Sequence, residues 1–151
     1  MTFATNLSHQ DGTWTGPMRG PVQMLAEQTY DDHLSVHDEA TANSLGLSGA
    51  PIEGPTHFSQ FDPIGMELWG QQWFETGCIS SHFTTMVVEG QHVQAAASPS
   101  GDNYAAITAT RDDGETVLTG SMSVGPHPTT CLLYTSPSPR DATLSRMPSS
   151  A

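Results

Sequence analysis

The sequence predicts an α+β domain in which a curved antiparallel sheet wraps around a central helix. Residues 50–77 are the most apolar and aromatic part of the chain, as expected for a buried helix. After Gly77 the pattern changes to a period of two, which is typical of a strand. Asp113-Gly114 then separates two strand-like runs and is a strong hairpin signal. A sheet packed around one helix explains why that helix carries most of the aromatic side chains.

The first third of the chain holds one clear helix signal. Residues 1–20 are rich in Gly, Thr and Ser without periodicity, so irregular structure is predicted there. Residues 21–30 fit either a strand or a short helix, and periodicity does not decide between the two. A short helix is predicted after Asp38, which can act as its N-cap, and Gly46 can end it.

The apolar segment is predicted to be one kinked helix or two helices in series. Pro55 suits the first turn of a helix. Pro63 interrupts the pattern, and Asp62 is available as a new N-cap. The aromatic side chains of this segment are predicted to lie in the core: Phe58, Phe61, Trp69 and Trp73.

Three or four antiparallel strands are predicted to follow. The period of two after Gly77 places Ile79, Phe83 and Val87 on one face. Residues 92–98 follow closely enough for a hairpin with that strand.

Composition excludes several classes of function. The net charge is −12, with four Lys and Arg together, which argues against a nucleic-acid partner. No apolar run is long enough for a membrane helix and no secretory signal is visible, so a cytoplasmic protein is predicted.

His33 and His37 are four residues apart without a third ligand at suitable spacing, so neither a metal nor a cofactor is predicted. Cys78 has no basic neighbour and is interpreted as a small strand-end residue.

Two short motifs resemble the hotdog fold, and within it the MaoC-like hydratases and dehydratases. That group has a segment D-x-N-P-[IL]-H, and "DHLSVH" keeps Asp32 and His37 at the same separation. The group then has G-x-I-x-x-G before its central helix, and "GAPIEG" supplies Gly49, Ile52 and Gly54. The chain departs from the first motif, because Leu-Ser replaces Asn-Pro. The resemblance covers about residues 20–125 as architecture and about 31–58 as motif.

The resemblance implies hydration of an enoyl thioester, or the reverse dehydration. Asp32 and His37 would share the acid and base roles, and the Gly54 N–H would stabilise the thioester oxygen. Ile52 and His57 would contact the substrate. Each of these residues also has a purely structural interpretation. Asp32 and His37 would be surface residues, Gly54 would be a turn glycine, and Ile52 and His57 would be packed side chains.

Two other functions remain open at the level of sequence. A hotdog acyl-thioesterase is the nearest alternative enzyme. Some members of that group use a carboxylate on the helix, and Glu67 is a candidate for it, but its neighbours do not match that group's motif. A non-catalytic module that binds a ligand or a partner subunit is the alternative from another class.

Coenzyme A carries several phosphate charges, and only Arg19 and Arg111 precede residue 131. Either a partner subunit or a further region therefore supplies cations, or the ligand is not a CoA ester. A homodimer, or a double hotdog within a longer chain, is the assembly that the resemblance implies.

The segment 131–151 is unlike the rest of the chain. "CLLYTSPSPRD" resembles the translation of a DNA adapter used in transposase-based sequencing libraries, and "SRMPSSA" matches the continuation of that adapter. The segment is predicted to be non-native and without stable structure. Residues 21–130 would then be a hotdog-like domain truncated on its C-terminal side, after an irregular segment at 1–20.

Overall fold

The computed structural model describes residues 5–24 and 35–126, and its first two strands form a hairpin. These are β1 (Ser8–Gln10) and β2 (Thr13–Thr15). The turn between them is Asp11-Gly12, with positive φ angles of 51° and 77°. Asp and Gly are the residues that tolerate this conformation in a two-residue hairpin turn.

The prediction of irregular structure for residues 1–20 is therefore wrong at this hairpin. Its turn carries the same Asp-Gly pair that predicts the later hairpin, but the flanking strands are only three residues each. Strands this short show no period of two. Residues 21–24 form neither helix nor strand, and the remainder of 21–30 lies outside the described residues.

The first helix, α1 (Glu39–Ser44), confirms the predicted caps. The Asp38 carboxylate accepts a 2.9 Å hydrogen bond from the Thr41 N–H, which satisfies one of the free donors of the first turn. Gly46 follows the helix with a φ of 78°, the left-handed conformation that ends many helices.

The apolar segment forms three short helices rather than one or two. They are α2 (Gly54–Phe58), α3 (Asp62–Trp69) and α4 (Gln72–Thr76). Gly70 ends α3 with a φ of 58°, a break that the apolar pattern alone did not predict.

Asp62 differs from its predicted role as an N-cap. Phe61 holds the N-cap position of α3, and Asp62 is the first residue of the helix. Its carboxylate accepts a 3.0 Å hydrogen bond from the indole N–H of Trp73. Asp62 therefore joins α3 to α4.

A six-stranded antiparallel sheet is completed by four longer strands: β3 (Gly77–Phe83), β4 (Val93–Pro99), β5 (Tyr104–Arg111) and β6 (Thr116–Val124). The strand order is β1-β2-β4-β5-β6-β3. The hairpin predicted at Asp113-Gly114 is confirmed, since β5 pairs with β6.

The hairpin predicted between β3 and β4 is wrong, because β3 pairs with β6 at the edge of the sheet. The segment between β3 and β4 leaves the sheet and contacts the start of the helical layer. Val87, predicted on the face of β3, lies in this segment, where its carbonyl accepts a 2.7 Å bond from the Ile52 N–H.

The core lies between the helical layer and one face of the sheet. Phe61, Ile64 and Trp73 pack from the helices against buried side chains of β4, β5 and β6. Phe61 and Trp73 are buried as predicted, whereas Phe58 and Trp69 are half-buried. The predicted α+β class, an antiparallel sheet packed against a helical layer, is confirmed, with three short helices in place of the predicted central helix.

Across the described ranges, no helix is both long enough and apolar enough to cross a membrane. The segment 131–151 lies outside these ranges. Its interpretation, and the domain boundary drawn at residue 130, stay predictions.

Candidate functional site

Ser35 shapes the turn that carries His37. Its hydroxyl oxygen accepts a 3.2 Å hydrogen bond from the His37 N–H, and its carbonyl accepts a 3.0 Å bond from the Asp38 N–H. A serine that bonds the N–H two residues later stabilises a turn in the same way as Asn or Asp. Ser35 therefore forms a local turn at the motif's departure from Asn-Pro. Asp32 and Leu34 lie outside the described residues.

The imidazole of His37 is held by the main chain of the second motif segment. Its Nδ1 lies 2.7 Å from the carbonyl oxygen of Pro51. A carbonyl oxygen only accepts, so this bond requires the proton on Nδ1. In the neutral ring, Nε2 then carries the lone pair and is the nitrogen able to accept a proton.

The segment that holds His37 is itself anchored to the residues after β3. The Ile52 N–H donates to the Val87 carbonyl at 2.7 Å, and Pro51 forms an isolated antiparallel bridge with Val88. A Cβ on Gly49 would lie 3.4 Å from Val88, so this stretch of chain approaches the neighbouring segment closely. The side chain of Ile52 is 6% exposed and belongs to the hydrophobic core.

Gly54 begins α2, which leaves its N–H outside the helix's own hydrogen-bond ladder. A Cβ at this position would lie 3.3 Å from the ring of Phe83, at the end of β3. The backbone of Gly54 is therefore close to an aromatic side chain that is 43% exposed. A backbone donor beside an apolar wall is a suitable place for a polarised carbonyl oxygen.

Two buried ionisable side chains flank Gly54. Glu53 is 7% exposed, and its carboxylate accepts 3.3 Å hydrogen bonds from the Met24 N–H and the Thr56 hydroxyl. His57 is 3% exposed, with its ring 5.9 Å from the ring of Phe83.

Burial shifts the proton equilibrium of His57 toward the neutral ring. Burial lowers the pKa of its imidazole below the ordinary value of 6.5, and the nearby Glu53 carboxylate opposes that shift only in part. Its Nδ1 is buried and has no hydrogen-bond partner within the part of the chain that the structure describes. A buried polar atom without a partner is uncommon in folded proteins and calls for an explanation.

The structure links His37 to Pro51 of the second motif segment, and it places Gly54 and His57 beside the ring of Phe83. Ile52 lies in the core, and Asp32 lies outside the described residues. Sequence reasoning missed Glu53 and Phe83. A single acid inside the apolar stretch "APIEGP" is a signal that favours a buried carboxylate at Glu53. Phe83 carries no comparable signal, because its role depends on where β3 ends.

The weaker candidates lie elsewhere. Glu67 is exposed on α3, and Cys78 is an exposed free cysteine at the start of β3. Arg111 donates to the Asp113 carboxylate and to the Met86 carbonyl. Among residues 5–24 and 35–126, no group of three or more His, Cys, Asp or Glu is arranged to hold a metal.

Comparison with protein-family models finds no match, and comparison with curated proteins finds none either. Among solved structures, the chain is similar to an (R)-hydratase from A. caviae involved in PHA biosynthesis. The identity is 22% and the TM-score 0.42, over 63% of this chain and 79% of that one.

Two further solved structures are similar. One is a hypothetical thioesterase from Streptococcus pneumoniae TIGR4, solved with coenzyme A: 12% identity, TM-score 0.46, over 83% of this chain and 88% of that one. The other is the E. coli PaaI protein from the phenylacetic acid degradation operon: 12% identity, TM-score 0.42, over 81% and 80%. The activities and the ligand belong to those proteins.

Proposed function

We propose that the chain is a MaoC-like enoyl-thioester hydratase or dehydratase that acts on an acyl thioester of the CoA type. The observation that carries the proposal is the 2.7 Å contact between His37 Nδ1 and the Pro51 carbonyl. It joins the segment that contains the acid/base motif to the segment that contains Gly54. These are the two segments that the MaoC-like resemblance combines into one site.

In the proposed reaction, Asp32 and His37 act on one water molecule. One of them removes a proton from the water, whose oxygen forms a bond to the β-carbon of the enoyl group. The electron pair of the double bond moves toward the α-carbon and the thioester oxygen, and a proton is then delivered to the α-carbon. The His37 Nε2 lone pair suits the first role, and the Gly54 N–H would hydrogen-bond the oxygen as its negative charge grows.

The remaining residues would bind the substrate. The buried Nδ1 of His57, which has no hydrogen-bond partner among the described residues, would offer a hydrogen bond to a polar group of the ligand. Phe83 provides exposed apolar surface beside Gly54, and Ile52 supports the segment from the core.

The proposal includes a homodimer, or a double hotdog within a longer chain. β3 is an edge strand of the sheet, and its last residue, Phe83, is an aromatic side chain that is 43% exposed. An unpaired strand edge with apolar surface is a favourable place for a second copy to pair. Light scattering after size exclusion should give twice the mass of the chain, and a monomer at all concentrations would contradict the dimer.

The reaction is tested with an enoyl-CoA and with the same enoyl group on N-acetylcysteamine, which carries no phosphate. Absorbance of the conjugated thioester should fall, and mass spectrometry should show addition of one water. The variants Asp32→Asn and His37→Ala should each lower the rate by about 100-fold or more. His82→Ala, which changes an exposed histidine of β3, is the matched control and should leave the rate unchanged. Absence of water addition with both thioesters, or unchanged rates in both variants, would refute the proposal.

A second candidate function is acyl-thioester hydrolysis, and the buried Glu53 carboxylate beside Gly54 favours it. A carboxylate in that position can activate water for attack on the thioester carbonyl. Release of free thiol without water addition, abolished by Glu53→Gln, would identify this reaction. Tight binding of a thioester with neither reaction would identify a non-catalytic module.

A further inference from the structure

The side-chain amide of Gln23 lies among three backbone carbonyls. Its Nε2 is 2.8 Å from the Pro51 oxygen, 3.3 Å from the His37 oxygen and 3.5 Å from the Ala50 oxygen. An amide nitrogen donates and carbonyl oxygens accept, so this orientation of the amide is the chemically favourable one. Its Oε1 is buried and has no hydrogen-bond partner within the described ranges.

The same amide contacts the Pro51 carbonyl and the main chain of His37, which together determine the position of the His37 ring. The Pro51 carbonyl accepts from Gln23 Nε2 and from His37 Nδ1, at 2.8 and 2.7 Å. The same nitrogen lies 3.3 Å from the carbonyl oxygen of His37 itself. On its other side, the Gln23 N–H donates to the Glu89 carboxylate at 3.0 Å, which anchors Gln23 to the segment between β3 and β4.

We propose that Gln23 is a positioning residue for His37. By holding the Pro51 carbonyl in place, it keeps the proton on Nδ1 of the neutral imidazole and leaves the Nε2 lone pair free to accept a proton. A group that fixes the tautomer of a histidine base has a large effect on rate without touching the substrate. The expected effect on rate rests on the proposed function, whereas the effect on the tautomer concerns His37 alone.

The test measures the tautomer directly. Two-bond ¹H–¹⁵N spectra of the histidine rings, recorded where the rings are neutral, distinguish a proton on Nδ1 from one on Nε2. The wild-type His37 should be in the Nδ1–H form. Gln23→Met, which keeps the length of the side chain and removes the donor, should give a mixture with the Nε2–H form.

Gln94→Met is the matched control. Gln94 also donates from Nε2 to a backbone carbonyl, that of Gly16 at 2.9 Å, but it lies on β4. This variant should leave the His37 spectrum and the rate unchanged. With an enoyl thioester, Gln23→Met should lower kcat by about 10- to 100-fold, by analogy with groups that orient histidine ligands, with little change in KM.

Each outcome decides the proposal. A wild-type His37 in the Nε2–H form overturns it without any variant, and so does a Gln23→Met spectrum identical to that of the wild type. If Gln23→Met does not fold, the test uses the wild-type spectrum and the variant Gln23→Asn, whose amide is on a shorter side chain. An unchanged His37 tautomer in Gln23→Asn then overturns the proposal. A tautomer that responds to Gln23 in a protein that adds no water would refute the hydratase and leave the positioning role intact.

Discussion

At the scale of single residues, His57 combines burial with a site for a proton. This residue of α2 is 3% exposed, and its ring lies 5.9 Å from the aromatic ring of Phe83. Removing a charged imidazole from water is costly, so the folded protein favours the neutral ring. The unfolded chain has no such preference, and the two states therefore take up a proton at different pH values.

Lowering the pH should destabilise the protein through His57. The folded pKa of His57 lies below its unfolded value of 6.5, so above that value neither state binds the proton and no difference arises. As the pH falls below 6.5, the unfolded state binds the proton first, and the free energy of unfolding decreases until the folded pKa is passed.

Urea unfolding at about pH 8 and about pH 5 measures this effect. The loss of unfolding free energy between the two pH values should be smaller in His57→Gln than in the wild type. His82→Gln changes an exposed histidine and should show the wild-type loss. Equal losses in all three proteins would contradict the buried, neutral His57.

Which residues could be predicted from sequence depends on the distance between partners along the chain. Asp38 bonds a residue three positions away, so the cap could be predicted from local pattern. Gln23 bonds residues 28 and 66 positions away, and no local pattern contains that information. The motif residues His37 and Gly54 were predicted only through the resemblance to a family.

At the scale of secondary-structure elements, Gly120 allows β6 to lie close to β3. The two strands pair with Ser81 opposite Gly120. A Cβ on Gly120 would overlap the backbone carbonyl oxygen of Ser80. Because that atom belongs to the main chain of the sheet, it cannot move as the end of a flexible side chain could.

Gly120→Ala should lower the free energy of unfolding by about 1–3 kcal/mol, since it over-packs the β3–β6 pair. Gly16→Ala is the control, because a Cβ there would meet its nearest neighbour, the Ala95 carbonyl oxygen, at an ordinary 3.7 Å. That variant should stay within about 0.5 kcal/mol of the wild type in the same urea titration. A Gly120→Ala protein as stable as the control would show that β3 does not pair as described.

The strands and helices themselves were more predictable than the pairing of strands and the breaks between helices. The strand-like runs after Gly77 predicted three or four strands in the region of β3 to β6, and Asp113-Gly114 predicted which two of them form a hairpin. The pairing of β3 with β6 was not predictable, because it depends on the chain leaving the sheet around Val87 to contact Ile52. The break between α3 and α4 at Gly70 was missed because Trp69 and Trp73 continue the apolar pattern across it.

At the scale of the whole molecule, the sheet and helices provide a frame, and the proposed chemistry depends on one small region of it. The same architecture can hold a hydratase, a thioesterase or no active site. The proposed hydratase rests on the turn made by Ser35, the His37–Pro51 contact and the buried residues around Gly54. The net charge of the chain is −12, so the chain repels the phosphate groups of CoA but not a thioester without phosphate. This repulsion weakens as salt is added, so comparing the rates with the two thioesters is informative about the effect of charge.

The most direct test of the proposed function is a double-mutant cycle on water addition to an enoyl thioester. The rates of the wild type, Asp32→Asn, His37→Gln and the double variant are compared at saturating substrate. If both groups act on one water, the double variant should be no slower than the slower single variant, because removing either partner already removes the unit. Two losses that multiply, or a wild type that adds no water, would contradict an acid/base pair at Asp32 and His37.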